Sequence, residues 1–502
     1  MAFNSSLSRT SLRTRARYAL TLATVLGLSL LEAGAAATYY VDDAGGSDRN
    51  DGISAPWKTI QKAFNSAPPG STVYIRAGIY KERLVLNVSG SQGAGFTTFA
   101  SYQSDTVILD GTGITASPLI DITNKRYVRI QGIRIRNYIH DSGRALGISG
   151  GSDHIEIRRN KFTNIKIASG TTSSVIKRNL HVWNLPIRVS GNDPVRPNDR
   201  IIIDGNEISD CEEGWGETLT VAGNSTNWEI TNNRIFDCQK GIDAAGHFND
   251  SSDPATDQAR NGVIRGNEIR NIGLGVGVYV DGARDVVIER NTISGIRESW
   301  GIVVSCERAG KNASGIIVRN NVVYDNLGGI SVGGWIPTYG RVVDSQIFNN
   351  TVVNNKTGLS LTLASRIAFM HNIVVGSATA LTNLPGNEDN NYFNYNLYHP
   401  TSGFVANWRA SRYRSLEAFR EATGQDTHSL TVDPSFQDAA AFNFHLTATS
   451  PAADRGDPSF VPAHSELDID GEMRVARGRV DMGADEIVPP KPATPANFRV
   501  LR

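Results

Sequence analysis

The sequence predicts an all-β solenoid, a parallel β-helix, and three observations carry the prediction. A pattern of the form apolar-x-apolar-x-x-Asn-x-apolar recurs, its Asn at positions Asn160, Asn179, Asn206, Asn233, Asn267, Asn291, Asn321, Asn350 and Asn372. Steps of roughly 20–30 residues mark a stacked repeat architecture. Five further segments in residues 241–363 begin with Gly and then alternate apolar and polar residues: Gly241-Ile-Asp, Gly277-Val-Tyr-Val-Asp, Gly301-Ile-Val-Val-Ser, Gly329-Ile-Ser-Val and Gly358-Leu-Ser-Leu. That alternation is the period of a strand with one buried face. No helical pattern separates the two kinds of segment, so two short strands are expected per turn. An Asn that recurs in one column suits an inward ladder whose side-chain amides hydrogen-bond along the stack. These Asn are read as structural.

The chain of 502 residues can hold a large core. Its 50 basic and 50 acidic residues balance to zero net charge, which leaves no basic footprint for nucleic acid. Residues 1–37 have the marks of an export signal. Arg9, Arg13, Arg15 and Arg17 precede an apolar run at 18–31, and Ala35-Ala36-Ala37 offers small residues for cleavage. The run is too short to span a bilayer. A secreted location, periplasmic or extracellular, is therefore expected, with no membrane attachment after cleavage and a monomeric state. Cys211 and Cys238 each follow a ladder Asn by five residues, which puts them in one column on adjacent turns. The spacing permits a disulfide; two stacked core thiols are the alternative. Nothing around Cys306 marks it as a nucleophile.

In chain order, residues 38–100 read as an N-terminal cap with the first strands. A strand at 39–41 leads to a helix opened by Pro56, with Ile60, Ala63, Phe64 and Ala67 on one face, and Pro68-Pro69-Gly70 stops it. Such a helix covers the open end of a solenoid. Residues 101–399 are the coils. Residues 400–488 form a C-terminal capping segment, with a short helix in SLEAFREATG and a polar turn at Asp468, Asp470 and Glu472 that could alternatively bind a cation. Residues 489–502 are a Pro-rich linker.

The N-terminal stretch TYYVDDAGGSDRNDG with its helix, and coils such as GVYVDGARDVVIERN, resemble secreted right-handed parallel β-helix proteins of the pectate-lyase-like superfamily. The resemblance covers about residues 38–488 and implies the right-handed fold. It leaves the chemistry open, because this fold carries lyases, hydrolases, epimerases and adhesins. Ala-Ala-Gly separates Asp243 from His247, so the Asp-Pro-His element of mannuronan epimerases is not matched.

Aligning the five Gly-led strands puts Ile242, Val278, Ile302, Ile330 and Leu359 in one inward column and Ala244, Val280, Val304, Val332 and Leu361 in the next. The candidate catalytic residues Asp243, His247, Tyr279, Asp281 and Glu307 then project from one outer face. Arg188, Arg284, Ser305, Ser331 and Trp335 are the candidate substrate-binding residues. Neighbouring acids on this face are expected about 8 Å apart, given strand and stacking spacings. That suits a pair of carboxylates in glycoside hydrolysis. The same acids could instead hold Ca²⁺ against a uronate carboxylate, the strategy of a lyase. The long loop after His247 carries Asp250, Asp253 and Asp257, oxygen donors for a possible Ca²⁺. The expected function is thus an exported enzyme on a polysaccharide. β-Elimination of a uronate polymer leads, glycoside hydrolysis follows, and a non-catalytic carbohydrate-binding adhesin is the third reading.

Overall fold

The computed structural model describes residues 37–246, 253–334, 336–383, 390–401 and 403–489. His247, Asp250 and Trp335, the expected export signal up to residue 36 and the linker from residue 490 lie outside these residues. Parallel strands stack into three sheets of 15, 13 and 13 strands. Each turn of chain visits sheet 1, then sheet 2, then sheet 3; Arg260–Arg265, Glu268–Arg270 and Val278–Asp281 make one such turn. The architecture is a right-handed parallel β-helix.

The structure gives three strands per turn where the repeat suggested two. The strands of sheet 2 are often only three residues long and follow the ladder Asn directly, as in Glu268–Arg270 after Asn267. In the sequence they therefore read as the tail of the ladder motif. The two inward columns of sheet 3 are as expected: Ile242, Val278, Ile302, Ile330 and Leu359 are wholly buried, and so are Ala244, Val280, Val304, Val332 and Leu361. Burial of such side chains contributes about 1.5–3 kcal/mol each, repeated turn after turn in a single core.

The ladder runs between sheets 1 and 2. The Asn160 N–H donates to Asn206 Oδ1 at 2.9 Å, and the same bond of 2.9–3.1 Å links Asn206, Asn233, Asn267, Asn291, Asn321, Asn350, Asn372 and Asn396 in turn. Asn396 belongs to the ladder although no motif marked it. Asn179 does not belong. The Val-Ile-Lys before it lies in a helix, Thr172–Lys177, started by the Thr171 hydroxyl accepting the Ser174 N–H. A short apolar-x-apolar run fits either period, and here the helix cap decided it.

Both ends are closed. At the N-terminal end the helix Ile60–Ser66 buries Ile60, Ala63 and Phe64. It starts at the Thr59 cap, three residues beyond the expected Pro56, and Glu82 accepts the Ile60 and Gln61 N–H groups at 2.9 Å. At the other end Leu416–Thr423 is the expected short helix, stopped by Gly424 at φ +70°, where a side chain would be strained. Asp468 closes the polar turn from within. Its Oδ1 accepts from Asp470 and Glu472 N–H, and its Oδ2 from Glu486 N–H.

Cys211 and Cys238 are in register on adjacent turns, both buried free thiols. Ile272 and Ile296 are buried on later turns. Burial pushes the Cys306 thiol up to about 11, which fits a packing role. Glu213 is buried beside the cysteine pair. Thr218 Oγ1 lies 2.6 Å from Glu213 Oε1 and 2.5 Å from the Lys240 carbonyl. One hydroxyl proton cannot serve both acceptors, so a neutral Glu213 donating to Thr218 satisfies the set. Burial accordingly raises the Glu213 pKa from 4.5 to about 7. The folded state holds this proton more tightly than the unfolded chain does. The contribution is therefore full below about 4.5 and is lost as pH rises through about 7. Tm is expected to fall between about pH 5 and pH 8, and Glu213→Gln, neutral throughout, should flatten that part of a Tm-against-pH curve.

Candidate functional site

The register of sheet 3 assembles one outward column: Gly147, Arg188, Thr220, Asp243, Tyr279, Val303, Ser331 and Ser360 lie level on successive turns. Two residues further along the strands, Asp281 and Ser305 are partners. Glu307 follows Ser305 by two. Of the expected residues, Arg188, Asp243, Tyr279, Asp281, Ser305, Glu307 and Ser331 therefore share the outer face of one sheet. Alternation alone produces this, because a period of two sends Asp243, Tyr279 and Asp281 away from the core.

The face is less open than the alternation suggested. Asp243 is 6 % and Asp281 7 % exposed, and Ser305 is wholly buried with no partner for its Oγ among the described residues. A strand pattern reports which way a side chain points, not what lies over it. Withdrawal from water sets the electrostatics. Burial, then Glu217 and Asp281, raise the Asp243 pKa well above the carboxylate range, against the pull of Arg188. Asp243 is thus held as the neutral acid, and its Oδ1 is buried without a hydrogen-bond partner among the described residues. Burial, then Asp281 and Glu307, also raise the Tyr279 pKa, and the phenol donates to Glu307 Oε1 at 2.7 Å. The Glu307 N–H in turn donates to Asp281 Oδ1 at 2.7 Å.

Along the face from this acidic set lies a cleft of about 320 Å³ lined by Arg144, Trp183, Arg188, Trp215, Gly216 and Glu217. Burial, then the charge of Arg144, lower the Arg188 pKa to about 10. Burial likewise lowers Arg144, whose Nε has no hydrogen-bond partner among the described residues. Lys240 anchors Glu217 at 3.4 Å and lies over the Trp215 ring. The sequence reading missed Arg144, Trp183, Trp215 and Glu217. Trp183 follows the helix Thr172–Lys177, which interrupts the repeat. The pairing of Ser142–Ser149 with Trp183–Gly191 was the signal that could have found Arg144 and Trp183.

Two expectations are corrected. Arg284 lies on sheet 1, level with Arg260, and its guanidinium meets Asp285 at 3.1 Å; the chain has turned the corner after Gly282. Asp257 is fully buried and ion-paired with Lys311, so an ammonium occupies the place a cation would need. Asp253 is exposed, and Asp250 lies outside the described residues. Among the described residues, the groups of three ligand-type side chains with atoms within 4.8 Å of one another are Cys211–Glu213–Cys238 and His445–Asp470–Asp485.

A stack of parallel coils with ionisable and aromatic side chains gathered on one sheet defines a class of β-helix proteins. Two family models match the chain: Pel9A-like, right handed beta helix region, over residues 39–184, and right handed beta helix region, over residues 247–377. YwoF of Bacillus subtilis is 30% identical over 449 residues, covering 82% of this chain and 92% of that protein. Pectate lyase PEL9 of Emericella nidulans is 35% identical over 92 residues, 18% of this chain and 22% of that protein. The chain belongs to the right-handed parallel β-helix proteins of the pectate-lyase-like superfamily. Two solved structures share the fold. XylC in complex with xylose has a TM-score of 0.52 at 12% identity, covering 80% of this chain and 87% of its own. PfbA, a surface adhesin of Streptococcus pneumoniae, has a TM-score of 0.51 at 15% identity, covering 75% and 94%.

Proposed function

We propose that the protein is an exported enzyme that cleaves a uronate-containing polysaccharide by β-elimination in the groove on sheet 3. The observation that carries this reading is the pair Arg144 and Arg188. Burial and the Arg144 charge lower the proton affinity of Arg188, and the two guanidinium groups share one cleft with two indoles. Like charges held together are relieved by an anion, and a guanidinium matches a carboxylate with two parallel hydrogen bonds. Indole faces suit the apolar faces of sugar rings. An acidic sugar meets both requirements.

The chemistry follows from the neighbours. Tyr279 lies three turns along the sheet from Arg188, so the arginines hold one uronate of the polymer and set a neighbouring one over Tyr279, where the proton beside its carboxylate is removed. Tyr279 oxygen takes that proton while its own passes to Glu307, 2.7 Å away. The electron pair forms the new double bond, and the glycosidic C–O bond breaks. Neutral Asp243 supplies a proton to the leaving oxygen. Asp281 positions Glu307 through the backbone N–H. No step here is routed through a metal.

A second reading has its own support. Asp243 is held neutral beside Glu217 and Asp281, and a neutral acid facing a second carboxylate is the arrangement of a glycoside hydrolase. Product chemistry separates the two. A panel of plant, algal and bacterial polysaccharides should yield an ultraviolet-absorbing unsaturated uronate; reducing ends without that absorbance would replace elimination by hydrolysis, and neither product would leave a binding protein. Arg144→Gln should weaken binding of a uronate polymer by about 2–5 kcal/mol and leave binding of a neutral polymer unchanged, measured by calorimetry.

A further inference from the structure

The C-terminal segment folds back over sheet 2, where Tyr324 of the coil meets Phe442 and Phe444 at 5.1 and 5.2 Å between ring centres. Between them lies a cleft of about 460 Å³, with Arg290 on its coil-side wall. Three ligand-type side chains meet on the opposite wall, and they come from three separate stretches of chain. His445 lies on the strand Asn443–Leu446. Asp470 sits in the turn bridged by Leu467 and Met473. Asp485 belongs to the last described stretch. His445 Nε2 is 2.7 Å from Asp470 Oδ2, and one ligand atom from each residue lies within 4.8 Å of the other two.

The surroundings are those of a cation site. Asn443 Oδ1 lies against His445 Nδ1, which orients the ring and turns Nε2 to the carboxylates, the outer-shell arrangement of a metal-bound imidazole. Asp485 is buried, with the Leu446 N–H on Oδ2 at 2.7 Å. Asp485 also lines the cleft. We propose that His445, Asp470 and Asp485 bind one divalent cation of the zinc or manganese class, which ties the three C-terminal stretches together beside sheet 2. One imidazole with two carboxylates suits those ions, whereas Ca²⁺ favours oxygen donors throughout. Ligands on such an ion are held about 2.0–2.2 Å from it, so the three side chains need only close inward, with water completing the shell. An ion bound only in the folded state stabilises it by mass action. The site lies on another sheet from the groove and is independent of the proposed activity.

The test uses full-length protein stripped with a chelator and titrated with Zn²⁺, Mn²⁺ and Ca²⁺ by calorimetry, with Tm followed in parallel. One Zn²⁺ or Mn²⁺ per chain and a raised Tm are expected. Asp470→Asn is the variant that should spare the fold, because its side chain is 45% exposed and bonds His445 alone among the described residues. It should weaken uptake at least about 10-fold, remove the rise in Tm, and leave the metal-free Tm unchanged. His445→Gln should do the same. Failure of all three ions to bind stoichiometrically overturns the proposal, as does one-to-one uptake that survives both substitutions.

Discussion

Asp243→Asn is expected to lower kcat by about 10²–10⁴-fold, the usual contribution of a positioned proton donor, without unfolding the protein. The amide keeps the shape of the carboxyl at a site that is already uncharged, so packing under the groove survives. What it cannot do is give up a proton to the leaving oxygen. The pH profile adds a signature that a structural role would not. Burial and the neighbouring acids hold the Asp243 proton well above the carboxylate range. Activity should therefore fall on the alkaline side as Asp243 ionises, and the asparagine variant should lose that limb. Asp281→Asn is the matched comparison. Asp281 acts through the Glu307 N–H, and an amide oxygen can still accept that bond, so a smaller loss is expected. Steady-state kinetics on the polymer identified by the product assay gives both numbers. Full activity in Asp243→Asn would remove the acidic set from the chemistry, and the cleft around Arg144 and Trp215 would have to hold it alone.

Asn291→Ala is expected to cost about 2–5 kcal/mol of stability, because buried donors and acceptors lose their partners. Asn291 Oδ1 accepts the Asn267 N–H and its Nδ2, and Asn291 Nδ2 donates to the Ile264 carbonyl and to Asn321 Oδ1, all at 2.9 Å. Truncation strips one rung in the middle of the ladder, and no water replaces it where the residue is fully buried. Denaturant unfolding followed by circular dichroism measures the change. An exposed Asn of the preceding coil, Asn271, sits at φ +56°, where Ala is less at ease than Asn, and should still lose only about 1–2 kcal/mol. Its amide meets only Asp237, at the surface, among the described residues. Equal losses at the two sites would show that the ladder bonds do not hold the corner.

The sequence carried the solenoid because each turn repeats the same solution to the same problem. A buried corner needs an amide, a strand face needs alternation, and both needs recur at every coil. Ile242, Val278, Ile302, Ile330 and Leu359 could be placed in one column by counting from Gly, and the register confirms them. The same counting put Arg188, Asp243, Tyr279, Asp281 and Glu307 on one face. It failed where the repeat was broken or ran short. Asn179 matched the motif yet sits beyond a helix, and the three-residue strands of sheet 2 were too short to show a period.

Periodicity along the chain therefore determined direction: which side chains point in, which point out, and which lie level on neighbouring turns. Tertiary structure decided environment. Whether Asp243 is wet or dry, whether Asp257 meets a metal or Lys311, and whether Arg284 turns the corner with its strand depend on chain from other turns. So does the meeting of Arg144, Trp183 and Trp215, which are 32 to 71 residues apart in sequence and share one cleft. Register is a local property repeated and can be read by counting. Burial and charge pairing are sums over neighbours in space, and those neighbours are fixed only when the coils stack.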